Sequence, residues 1–146
     1  MLIEALIAIL IFSIGILAVV GMQSVAIKSV TESKYRSEAA LLSQELIAQM
    51  WLDQHIDGTG TNTSNVTNAN YNYPGSGAVP ARLTSWVARV QRLPGTVAFP
   101  PKVTLSNITT QGATVTVEIR WQLPEEASLS PAPPPHSYLS EVAVYV

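Results

Sequence analysis

MLIEALIAILIFSIGILAVVGMQSVAI (residues 1–27) carries one charge, Glu4, and the next ionisable side chain is Lys28. From Ala5 to Met22 the run is Ala, Leu, Ile, Val, Phe and Met, broken only by Ser13, Gly15 and Gly21. At a rise of ~1.5 Å per residue this stretch makes a helix roughly 27 Å long, close to the ~30 Å hydrocarbon core of a bilayer. The N-terminus is therefore expected to cross a membrane or to bury itself among helices of its own kind. In either setting a carboxylate at the apolar end is costly unless paired, which makes Glu4 the most informative residue here. A cleaved secretory signal fits poorly, because no Lys or Arg precedes the apolar run and an acid stands where a base is required.

Beyond Met22 the helical pattern continues and changes character. Tyr35, Ala39, Leu42, Leu46 and Met50 form one apolar stripe, which Ile47 and Trp51 widen. Lys28, Glu32, Arg36, Glu38 and Glu45 occupy the opposite face, and no proline occurs before Pro74. One helix is expected from about residue 2 to residue 54, with Gly15 and Gly21 as its weak points, since an interior Gly costs about 1 kcal/mol relative to Ala. The chain thus divides into an apolar half-helix, residues 1–27, and a globular part, residues 28–146.

Asp57-Gly58 reads as the helix terminator, and residues 58–80, rich in Thr, Asn, Ser and Gly, read as a long loop. Asn62, Asn65 and Asn107 each begin an N-glycosylation sequon, a pattern expected by chance in so Asn- and Thr-rich a chain. A short helix fits residues 81–93, with Leu83, Trp86, Val87, Val90 and Leu93 on one face and Pro94-Gly95 as its stop. Arg82, Arg89 and Arg92 fall elsewhere on it and read as solvated charges flanking a core stripe. Strands are expected over about 97–106, 113–123 and 138–146. The clearest is the middle one, where Val115, Val117, Ile119, Trp121 and Leu123 alternate with Thr116, Glu118, Arg120 and Gln122. Residues 124–136 form a proline-rich connection unsuited to helix or inner strand. Three antiparallel strands with one apolar face need a cover, and the 35–51 stripe supplies it, giving an α+β fold.

With 146 residues, a net charge of −2 and scattered basic side chains, the chain lacks the basic stripe of a nucleic-acid surface. It has no cysteine, so disulfides, thiol nucleophiles and thiolate metal sites are excluded. His55 and His136 have no second His at metal spacing. Asp53, His55 and Asp57 read as solvated, and Glu125-Glu126 as loop solvation beside prolines. No nucleophile elbow or phosphate loop occurs. Neither an enzyme nor a cofactor is expected.

Leu2-Ile3-Glu4 followed by Ala5-Leu-Ile-Ala-Ile-Leu10 resembles the start of mature type IV pilins and type II secretion pseudopilins. The acid after Leu-Ile, then about twenty apolar residues running into a long amphipathic helix, is a specific combination. Within that family the nearest pattern is that of PilV-type minor pilins. It rests on Arg36-Ser37-Glu38-Ala39, Gln44-Glu45-Leu46, Gln49-Met50, Trp86, Leu93-Pro94-Gly95 and the Val-rich strand ending at Trp121.

The resemblance implies a type IV pilin-like fold and a structural subunit of an extracellular filament. Minor pilin, major pilin and pseudopilin stay open, as does a membrane-anchored binding domain that never assembles. Its implied partners are other pilin subunits, through the N-terminal helix, together with the inner-membrane assembly machinery and the prepilin peptidase. The chain would sit in the bacterial inner membrane before assembly and in the pilus afterwards. Leu2, Ile3 and Glu4 would serve assembly, Glu4 by pairing with the N-terminal amine of a neighbour, and Gly15 and Gly21 would let the helix extend or melt locally. Chains of this family carry a short basic leader ending in Gly, cut before an N-methylated residue. Here Met1 stands at the second mature position and Glu4 one place early, so a start codon set late or a trimmed sequence is expected. The family's common C-terminal disulfide cannot form.

Overall fold

The computed structural model describes residues 2–53, 55–56 and 62–145, with residues 55, 56, 62 and 63 described by backbone alone. In chain order the elements are α1 (Leu2–Leu52), β1 (His55–Ile56), β2 (Asn62–Thr63), α2 (Asn68–Tyr71), a 3-10 turn (Ala81–Leu83), α3 (Thr84–Val90), β3 (Lys102–Ser106), β4 (Gly112–Trp121), α4 (Pro124–Ala127) and β5 (His136–Tyr145). The expected Asp57-Gly58 terminator, the start of the 58–80 loop and the strand residue Val146 lie outside the described residues. By backbone contacts the chain forms two compact units, one ending at Lys34 and one running from Tyr35 to Val146. Compactness thus begins at Tyr35 rather than at residue 28.

α1 is one uninterrupted helix of 51 residues, about 76 Å long. It is long and apolar enough to cross a membrane, and none of its most apolar eighteen-residue stretch is buried. Ser13, inside the apolar run, donates its Oγ–H to Ile9 O at 2.7 Å, and further along the helix Thr31 Oγ1 donates to Ile27 O at 2.9 Å. A side chain bonded in this way leaves no polar group unmet in an apolar setting.

In the second unit the stretch of α1 from Tyr35 to Leu52 packs against a three-stranded antiparallel sheet in the order β3-β4-β5. Ala39, Leu46 and Met50 are buried, with Tyr35 and Leu42 packed beside them. Two details depart from the expected stripe. Ser43 is fully buried in it, and Trp51 is 46% exposed outside it. β4 presents Val115, Val117, Ile119 and Trp121 to the core, and β3 adds Val103 and Leu105. Across the outer face Lys102 stands opposite Glu118, their charged groups 3.5 Å apart. α3 closes the core with Trp86, whose Nε1–H donates to Leu42 O at 2.8 Å. That indole bond uses the second lone pair of a carbonyl inside α1 and fixes α3 against it.

The strand and loop boundaries differ from expectation for identifiable reasons. β3 begins at Lys102 rather than near 97. Gly95, at φ +74, turns the chain so that the N–H groups of Ala98 and Phe99 both donate to Gly95 O at 3.1 Å. The 58–80 segment is no surface loop throughout: it holds β2 and α2, and Val66, Tyr71 and Tyr73 are buried. The expected helix over 81–93 divides into the 3-10 turn and α3, and the proline-rich connection contains one helical turn, α4. β5 starts at His136, opposite Trp121. Gly112 opens β4 where it meets β5, and a Cβ there would lie 2.0 Å from Val144 O, so only glycine fits.

Candidate functional site

The described residues hold one large uncovered apolar surface, the N-terminal unit of α1. Leu2 and Ile3 are 80% and 70% exposed, and every large apolar side chain from there to Val30 is likewise exposed. A water-soluble chain does not leave so long a continuous apolar surface uncovered, so this one is built to meet lipid or protein. Glu4 stands in the first helical turn, where a carboxylate favours the helix dipole by a few tenths of a kcal/mol. It makes no ion pair among the described residues.

Gly15 and Gly21 lie within the same helix without interrupting it, and no neighbouring group comes within 4 Å of a Cβ built at either. Packing inside this chain therefore does not require glycine at those positions. What the two glycines do locally is lower helix stability, by about 1 kcal/mol each relative to Ala. Ala18, Gly21, Met22, Val25, Ala26 and Ser29 line a shallow apolar furrow along the helix. Small side chains in such a furrow let a second helix approach closely. All five residues singled out from the sequence (Leu2, Ile3, Glu4, Gly15 and Gly21) thus share this one surface.

The second unit contains two polar clusters whose charged members read, one by one in the sequence, as solvated. In the first, the carboxylate of Asp53 accepts bonds from the Tyr71 hydroxyl and the Arg82 guanidinium, and Asn65 Nδ2 donates to Asp53 O at 2.9 Å. Burial, then the bonded carboxylate, holds the Tyr71 phenol above the ordinary tyrosine range. The bond to Asp53 likewise raises Arg82. Asp53 and Arg82 are therefore partners in a knot rather than solvated charges. Arg89 is also paired, with Glu45 at 2.7 Å. The knot joins the end of α1 to α2 and the 3-10 turn, and a phenol held protonated is no base.

The second cluster corrects the reading of Glu125-Glu126. Glu126 is 5% exposed, and its Oε2 lies 2.9 Å from His136 Nε2 and 3.4 Å from the Leu123 N–H. The His136 ring stacks on Trp121 at 5.7 Å between centroids. A proline-rich flank hides such a burial from any periodicity argument. Of the sequon residues, Asn65 is bonded to Asp53, Asn107 is exposed in the β3–β4 turn at φ 49, and the Asn62 side chain lies outside the description. No group of three or more His, Asp and Glu among the described residues is placed to hold a metal ion. Comparison with protein-family models, curated proteins and solved structures returns no match to this chain.

Proposed function

We propose that this chain is a structural subunit of a type IV pilus-like filament, a minor pilin that helps to initiate assembly or sits at the tip. The observation that carries this reading is the change of character within α1. One helix is apolar and uncovered as far as Val30, then buries a single stripe from Ala39 to Met50 without a break between. A simple anchor needs no such continuity, and a soluble domain has no use for the uncovered half.

On this reading residues 5–22 hold the subunit in the inner membrane before assembly, and the same helices bundle in the filament core afterwards. Glu4 then pairs with the N-terminal amine of a neighbouring subunit. A buried carboxylate is tolerable when paired, and the pairing sets the register between subunits. Gly15 and Gly21 supply local freedom for stacking. The chain's role is mechanical, with no reaction assigned to it.

The test is to express the chain in a filament-forming bacterium as wild type, Glu4→Ala and Glu4→Gln, and to measure it in membranes and in sheared surface filaments. Both variants are expected at wild-type level in membranes and depleted from filaments. Equal recovery of Glu4→Ala from filaments would remove the pairing role. A wild-type chain that never leaves the membrane would make it an anchored domain instead.

A further inference from the structure

The two edges of the sheet are finished differently. Beside β3, Tyr73 closes the edge: its N–H donates to Val103 O at 2.8 Å, and Val103 N–H returns a bond to Tyr73 O at 2.8 Å. β5 has a neighbour on one side only, and no strand among the described residues pairs its outer side. Such an edge is a template for another chain, and proteins usually blunt it with Lys, Pro, a bulge or a short strand. Apart from one charged side chain, Glu141, β5 carries no such device. It is ten residues long, contains no Pro, Gly or Lys, and pairs with β4 in unbroken register.

Burial along β5 shows the same incompleteness. Val115, Val117 and Ile119 of β4 are fully buried, whereas Val142, Ser140 and Tyr138 opposite them are only half-buried. The core thins across β5, where Val144 alone is fully buried. On the outer face Leu139 is 64% exposed, and Glu141, the strand's one acid, makes no ion pair among the described residues.

We propose that the β5 edge receives an extended peptide segment of a different protein as the fourth strand of the sheet. That segment carries apolar side chains at alternate positions, covering Tyr138 and Val142, and a Lys or Arg opposite Glu141. Charge selects this occupant over a second copy of the chain. Another β5 brings no Lys or Arg to Glu141, and another β3 is closed by Tyr73, with its one lysine, Lys102, already paired to Glu118. Main-chain bonds would supply affinity, and the alternating side chains specificity.

The probe is a fluorescent decapeptide of alternating Thr and Val with one central Lys on the Thr face, titrated by anisotropy against the full chain in detergent micelles. Saturable binding is expected. It should weaken by about fivefold when the Lys is replaced by Glu, and it should vanish when alternate amides are N-methylated. Glu141→Lys should invert the preference between the two peptides, and Glu141→Gln should erase it. No saturable binding, or a preference unmoved by either substitution, overturns the proposal. So does sedimentation showing a dimer that excludes the peptide, since the occupant is then a second copy. The assay needs no filament, so its failure is distinct from failure of the assembly reading.

Discussion

The two halves of α1 obey the same backbone geometry and face opposite demands. From Tyr35 onward, Ala39, Leu46 and Met50 are removed from water by β4, β3 and α3 of the same chain. From Leu2 to Val30 the large apolar side chains are more numerous and stay exposed among the described residues. The first kind of burial folds the protein. The second must be completed by lipid or by other helices, so it reports on where the protein resides and what it joins. The comparison teaches that hydrophobicity alone does not locate a core; a one-sided stripe does.

Substitutions should separate the two halves cleanly. The largest effect is expected from Gly112→Ala, which forces β4 and β5 apart. It should cost about 4 kcal/mol or more in chemical denaturation of the Tyr35–Val146 unit while leaving membrane partition unchanged. Ile11→Arg should do the reverse. It places a charge within the span at a cost of about 3 kcal/mol, seen as loss from the membrane fraction with unfolding of the second unit unmoved.

Next comes Tyr71→Phe. It removes a bond to the Asp53 carboxylate and should cost about 2 kcal/mol at neutral pH. It should also change the alkaline limb of stability. The folded phenol titrates above the ordinary range, whereas the unfolded one loses its proton at a pH of about 10. The contribution of Tyr71 is therefore complete below a pH of about 10 and declines above it, by up to ~1.4 kcal/mol per pH unit. The Phe variant should show a correspondingly shallower alkaline fall. The smallest effect is a gain. Ser43 buries a hydroxyl with no hydrogen-bond partner among the described residues, so Ser43→Ala should stabilise the second unit by about 1 kcal/mol.

Much of this architecture is legible in the sequence wherever a period is strong. The alternation through Val115, Val117, Ile119 and Trp121 is a strand because no helix places those residues on one face. The Ala39–Leu46–Met50 spacing is a helical stripe for the complementary reason. What stayed hidden has no period. Tyr71 and Tyr73 sit in an Asn-rich segment whose composition says loop, yet their rings reach the core and Tyr73 closes the β3 edge. Glu126 lies beside prolines, where a buried acid is visible only once His136 is brought next to it by the β4–β5 register. Trp51 fails as a stripe residue because, directly after the buried Met50, it lies about 100° further round the helix. The uncovered surface itself was fully legible, with Leu2, Ile3, Glu4, Gly15 and Gly21 all on it. Its meaning was not, because the groups that complete it belong to other molecules.

The absence of cysteine makes the direct test simple. Ala8→Cys places a single thiol on the uncovered half of α1, and sheared filaments carrying this variant can be treated with a thiol-to-amine or photoactivated cross-linker of short reach. The expected result is a covalent product between this chain and the N-terminal helix of another filament subunit, lost when Glu4→Ala is added. Cross-links to lipid alone, in membranes and never in filaments, would contradict it.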